Sequence, residues 1–191
     1  MFELTFEQKW LRSPLSWPGG KFKLLPLIIP QINAMRKGAT TLVEPFAGGA
    51  ALSLSLGTSF ERIVLNDSDQ AVSALWQCIS KRNLRSALVE RLKWALPNPN
   101  IRVDHRPLLD SADLLTRAYG CLLVNRTAFS GILSRGPTVV HQGRFNGTTL
   151  CERINRIGMA LEGRLEVTNL DFGEVVASYG KRERTIIYAD A

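Results

Sequence analysis

Residues 41–69 read as strand, glycine turn, helix, strand and acid, and this unit narrows the possible folds more than anything else in the chain. TLVEPF (41–46) is a short apolar run that breaks into Ala47-Gly48-Gly49, and ALSLSLG follows as a helix. RIVLN (62–66) reads as a second strand leading into Asp67 and Asp69. That order is the first half of a doubly wound parallel sheet, so the predicted fold class is α/β. Asp69 is placed to cap a helix over 70–81, in which Ala71, Ala74, Leu75 and Cys78 share one face.

The rest of the chain reads as further sheet units plus an insertion. Met1 to Pro18 is an extended lead-in. Residues 21–37 are apolar at helical spacing but carry Pro26 and Pro30, which predicts a helix kinked or split at those prolines. Helices are predicted at about 84–95 and 111–124, with a proline-rich loop over 97–107. Residues 125–150 hold four glycines and short β-like pieces without a helical period, which predicts a hairpin-bearing insertion. Helix returns in ERINRIGMALEG, with Ile154, Ile157 and Leu161 at helical spacing. LEVTNLDF is a third strand and turn, a short helix follows near 174–179, and RTIIYADA is an apolar strand ending at Asp190.

With 191 residues, 45% hydrophobic and 21% charged, the chain is neither disordered, collagenous nor coiled coil, and one domain with an insertion is expected. No apolar run approaches the roughly 18 residues of a membrane span, and MFELTFEQKW lacks the regions of a signal peptide. A cytoplasmic monomer without a membrane partner is expected. Cys78, Cys121 and Cys151 are widely spaced and odd in number, so they are expected to be reduced thiols. His105 and His141 stand alone, and no metal is expected. A net charge of +7 suits a polyanionic partner.

Three constellations bear chemistry. In the first, Glu44 ends a strand, Gly48-Gly49 make the turn, and Asp67 lies 18 residues past Gly49, the distance at which an acid meets ribose hydroxyls. GxGxxG is absent, and a structural turn with a surface acid is the competing reading. In the second, Trp17-Pro18-Gly19-Gly20-Lys21 precedes a helix, where backbone N–H groups and a lysine can meet an anion; the plainer reading is a capped helix start. The third is charge. Residues 117–164 contain seven arginines, no lysine and two acids, which is +5 of the chain's +7. Arginine alone favours bidentate phosphate or guanine contacts, against the alternative of a solvated basic face.

WPGGK, VEPFAGGAAL, LND, VNRTAFSGILSR, GRFN and IIYAD, in this order, resemble the Dam-type N6-adenine-specific DNA methyltransferases from about Ser13 onward. The resemblance implies a Rossmann-like sheet, S-adenosylmethionine as cofactor and double-stranded DNA as partner. It implies that Trp17 and Lys21 belong to a motif closing over the cofactor. Glu44, Phe46 and Gly48 match its methionine-side loop, Asp67 the ribose acid, and Asp171 the position lining the adenine ring. Arg126, Ser130, Arg135 and Arg144 become candidate DNA contacts. Asp190 matches the acid of the family's catalytic Asp-Pro-Pro-Tyr. The implied organisation is 1–96 for the cofactor half, 97–164 for the target-recognition insertion and 165–191 for a return to the sheet.

The sequence departs from the family pattern in three places. IIYAD reaches Asp190 and stops at Ala191, before the two prolines and the tyrosine, so a sheet incomplete at its carboxyl end and little turnover are expected. A non-catalytic DNA-binding remnant is the alternative. FAGGAA has Ala50 where many relatives place glycine, a mild change since alanine is nearly as small. Ser130 stands where relatives usually have Asn, so no target sequence is assigned. A nicotinamide-dependent protein is disfavoured by the missing GxGxxG and the arginine-rich insertion. The cofactor reading demands that Trp17, the Gly48-Gly49 bend and Asp67 lie together.

Overall fold

The computed structural model describes residues 11–17, 19–95, 104–134 and 145–190. Its strands are β1 Thr41–Glu44, β2 Arg62–Asn66, β3 Leu165–Thr168 and β4 Thr185–Ile187. They form one parallel sheet in the order β3-β2-β1-β4. The helices are α1 Leu25–Met35, α2 Ala51–Leu56, α3 Gln70–Ser80, α4 Arg82–Ala95, α5 Leu114–Thr127, α6 Gly147–Ala160 and α7 Phe172–Tyr179.

The pairing register explains the two layers. Leu42 lies opposite Ile63 and Ile186, and Val43 opposite Val64 and Ile187. Successive strand side chains point to opposite faces, so these rows face different helices. Leu42, Ile63 and Leu65 join the large core built with α1 to α6. Val43 and Val64 pack instead on Val175 and Tyr179 of α7, with Ile187 beside them. Chain order runs β1, β2, β3 outward and then returns to β4 on the far side of β1. In such sheets the ligand crevice opens where the order reverses, outside the strands' carboxyl ends. Here that place is between β1 and β4.

The predicted first unit is present. Asp69 caps α3, its side chain accepting from the Ala71 and Val72 N–H groups. The helix over 21–37 is split just ahead of Pro26 and not at Pro30: a 3-10 turn, Lys21–Leu24, leads into α1, which has Pro26 in its first turn and continues through Pro30. The insertion reads differently. Asn125, Arg126 and Thr127 finish α5, Phe129–Gly131 is a 3-10 turn, and α6 begins at Gly147. Much of 125–150 that sequence periodicity left without helix is therefore helix or turn. Residues 135–144, where the hairpin was expected, lie outside the described residues, as do 97–103 of the predicted loop. The end of that loop, Arg106 and Pro107, begins a 3-10 turn that runs to Asp110.

Candidate functional site

The glycine turn after β1 is held on three sides. The Gly48 N–H donates to Asp67 Oδ2 at 2.8 Å, and the Asp69 N–H to Asp67 Oδ1 at 2.9 Å. Fully buried Trp76, on α3, donates its indole N–H to the Gly48 carbonyl at 3.0 Å. The Trp17 indole covers the outer side: a Cβ on Gly48 would stand 2.7 Å from its ring, and Gly48 has φ +43°. Glycine is required there for both reasons. The three places the cofactor reading needs together are thus one hydrogen-bonded and packed unit. Burial pushes the Asp67 carboxyl above its ordinary range, against the pull of the two N–H donors. Those donors use two of the roughly four lone-pair sites of a carboxylate, so Asp67 keeps capacity for hydroxyl groups.

Ala50 also turns out to matter for its backbone. It has φ +51° and ψ 36°, ahead of α2. Size is not the issue at this position; a left-handed alanine costs about 1 kcal/mol where glycine would be unstrained.

Beside the turn opens a cleft lined by Trp17, Lys21, Glu44, Phe46, Tyr188 and Asp190, with Gly49 and Ala50 at its base. It encloses about 640 Å3 of empty space, its open mouth included. Glu44 ends β1 and is buried; its Oε1 accepts from the Ser53 N–H at 2.7 Å. Burial pushes the Glu44 carboxyl up to about 7, the Ser53 hydrogen bonding opposes the rise, and nearby Asp190 adds to it. Asp190, past the end of β4, is met on Oδ2 by Lys21 Nζ at 2.9 Å and by the Tyr188 hydroxyl at 3.3 Å. Burial and the neighbouring carboxylates push the Tyr188 phenol up to about 12. Lys21 also donates to the Gly19 carbonyl at 3.2 Å, so its ammonium bridges the Trp17 segment and the end of β4.

The carboxyl ends of β1, β2 and β3 are locked by one amide. Asn66 Nδ2 donates to the Pro45 and Leu170 carbonyls at 2.9 and 3.0 Å. Its Oδ1 accepts from the Leu170 N–H at 2.9 Å and the Thr168 hydroxyl at 2.8 Å. Phe46 meets Phe172 with ring centroids 5.4 Å apart. Asp171 does not line the cleft; it caps α7, accepting from the Gly173 N–H at 2.8 Å, while Glu174 accepts from the Asp171 N–H. Asn169 donates to the Asp67 carbonyl at 2.7 Å, which joins the Asp171 turn to the Asp67 loop.

The profile of the D12 class N6 adenine-specific DNA methyltransferases matches residues 17–191. The chain belongs to this family. It is also 27% identical over 97 residues to the modification methylase StsI of Streptococcus sanguinis, a match covering 49% of this chain and 14% of that protein. The chain thus corresponds to a small part of the relative's length. The Rossmann-like α/β sheet is the fold expected of a D12 methyltransferase.

Of the residues expected to meet DNA, Arg126 and Ser130 fall within the described residues. Arg126 is in the last turn of α5 and half-buried. Ser130 is exposed at the centre of the following turn with φ 55° and ψ 9°. Arg135 and Arg144 fall outside the described residues. Among the described residues, no group of three or more His, Cys, Asp or Glu could hold a metal, and no helix is long and apolar enough to cross a membrane. Sequence reasoning missed Tyr188, Trp76, Asn66 and Asn125. Tyr188, Asn66 and Asn125 sit within the IIYAD, LND and VNRTAFSGILSR motifs, but the hydrogen bonds through which they and Trp76 act are announced by no spacing rule.

Proposed function

We propose that this D12 methyltransferase chain binds S-adenosylmethionine in the cleft and directs its methyl group to N6 of an adenine flipped from duplex DNA. The observation that carries this reading is the contact of Trp17, Gly48 and Asp67 in one unit beside Glu44 and Asp190. The lining of the cleft and the turn beside it suit the cofactor. Asp67 offers acceptors to vicinal hydroxyls, buried Glu44 suits an ammonium group, and Trp17 and Phe46 offer apolar faces. Asp171 is assigned to the adenine side through its link to the Asp67 loop. The cofactor, when bound, supplies an electrophilic methyl on a sulfonium.

The residues of the chain supply placement. An exocyclic amine is a poor nucleophile because its lone pair is delocalised into the ring. Asp190 is assigned the amine hydrogens: Lys21 and Tyr188 both hold Oδ2, which leaves Oδ1 as the acceptor that lets the nitrogen pyramidalise. Alignment and fixed charge then account for the rate, after flipping has cost a few kcal/mol. Arg126, Ser130, Arg135 and Arg144 are assigned to the duplex. The reading takes the chain as a cytoplasmic monomer without a metal.

Calorimetric titration of S-adenosylmethionine into the wild type and Asp67→Ala tests the pocket. A charged hydrogen bond is worth about 1.5–3 kcal/mol, so the variant is expected to bind at least about tenfold more weakly. Equal affinity would remove the ribose assignment. Tritiated methyl transfer to adenine-containing duplex separates an enzyme from a binding remnant, which would hold both ligands and transfer nothing.

A further inference from the structure

The segment Ser13–Trp17 lays the indole over the Gly48 turn, and two helices hold that segment from behind. Asn125, 1% exposed in the last turn of α5, accepts the Ser16 N–H on Oδ1 at 2.8 Å and donates Nδ2 to the Ser16 carbonyl at 3.0 Å. The same Nδ2 donates to the Gly131 carbonyl at 2.6 Å. One amide therefore joins the neighbour of Trp17 to the turn Phe129–Gly131. The join is tight: a Cβ on Gly131, whose φ is +77°, would stand 1.9 Å from the Ser16 carbonyl oxygen. A second tie comes from α6, where Arg153 Nη1 donates to the Ser13 carbonyl at 3.0 Å. Helices α5 and α6 are the two that bracket the segment carrying Ser130, Arg135 and Arg144.

We propose that Asn125 is a positioning residue that couples duplex binding at the Phe129–Gly131 turn to cofactor binding beneath Trp17, each ligand raising the affinity for the other. This rests on the cofactor and DNA assignments above. The turn carries strain that a bound duplex can relieve, because Ser130 occupies the left-handed backbone region, which residues other than glycine seldom adopt. A duplex that engages the exposed Phe129 and Ser130 shifts this turn. Its displacement passes through the Gly131 carbonyl and the Asn125 amide to both backbone groups of Ser16. Breaking that path would strand buried polar groups, which is costly, so turn and segment move as one body. Thermodynamic linkage makes the effect reciprocal.

The test titrates S-adenosylmethionine into the protein with and without a saturating short adenine-containing duplex, and then the duplex with and without the cofactor. Both comparisons are expected to show the same tightening, about tenfold. In Asn125→Ala each ligand alone is expected to bind more weakly than to wild type, while the factor by which each tightens the other falls to near one. Loss of an anchor alone would not equalise the two arms. Should Asn125→Ala fail to fold, amide exchange in the wild type decides: the Ser16 and Trp17 amides must slow when duplex is added without cofactor. Duplex binding that leaves both cofactor affinity and this exchange unchanged overturns the coupling while the assigned sites stand. Coupling that persists in a folded Asn125→Ala overturns the role of this residue, and failure of the wild type to bind duplex overturns the coupling and the DNA assignment together.

Discussion

Glu44 and Ala50 show how single positions carry the cleft. Glu44 keeps its proton in the folded protein up to about pH 7, whereas an ordinary glutamate loses it near 4.5. Between those values the folded state binds the extra proton, so stability falls as pH rises through this window and levels off above it. Glu44→Gln keeps an acceptor for the Ser53 N–H and cannot ionise. Denaturant titrations from pH 5 to 8 are expected to show the wild type losing up to roughly 3 kcal/mol relative to this variant; parallel profiles would mean that Glu44 ionises normally. Ala50 makes the opposite kind of statement. Its φ of +51° is a glycine conformation, so Ala50→Gly is expected to raise the melting temperature, with a gain of about 1 kcal/mol by denaturation. Composition could not supply this, because a residue's φ is set by the turn around it and not by its own bulk.

At the scale of elements, the strands were legible and the helix ends were not. β2 falls on the run RIVLN and α3 begins behind its Asp69 cap, because a buried apolar run and a capping acid are local signals. The far end of α5 was not legible: Ala118 and Gly120 to Asn125 are all buried, so no polar stripe marks a helical period. The start of α6, Gly147-Thr148-Thr149, has poor helix formers and is held by the Asn146 cap and by burial of Leu150 and Ile154. Of the candidate site, sequence order disclosed the glycine turn, both acids and Trp17, while the amides of Asn66 and Asn125 act between distant segments and leave no local pattern. Contact between α4 and α6 yields an element-scale prediction. Buried Arg85 donates to the Ile79 carbonyl at 3.0 Å, and a Cβ on Gly158 would stand 2.2 Å from its Nη1. Gly158→Ala is expected to cost about 1–3 kcal/mol in chemical denaturation; an unchanged midpoint would show that the guanidinium swings aside freely.

For the molecule as a whole, one segment joins the cleft to the helices beside the arginine-rich stretch. Trp17, Lys21, Glu44, Phe46 and Asp190 gather at the β1–β4 reversal, and α5 and α6 hold the segment that carries Trp17. If about four of those arginines touch phosphate, log affinity for duplex is expected to fall with log salt at a slope near −3.6. A flat dependence in filter-binding or anisotropy titrations would leave the arginines as a solvated surface. The unequal backing of the sheet has its own consequence. Among the described residues, six helices contribute to the core on one side, while the Val43–Val64 side rests on α7. β4 pairs with β1; Ile186 and the following Tyr188 pack on the large core, and Ile187 leans on that thin flank. If that flank gives way first, Asp190 is displaced while the Gly48 bend is still held, and the expected result is a form that binds the proposed methyl donor without using it.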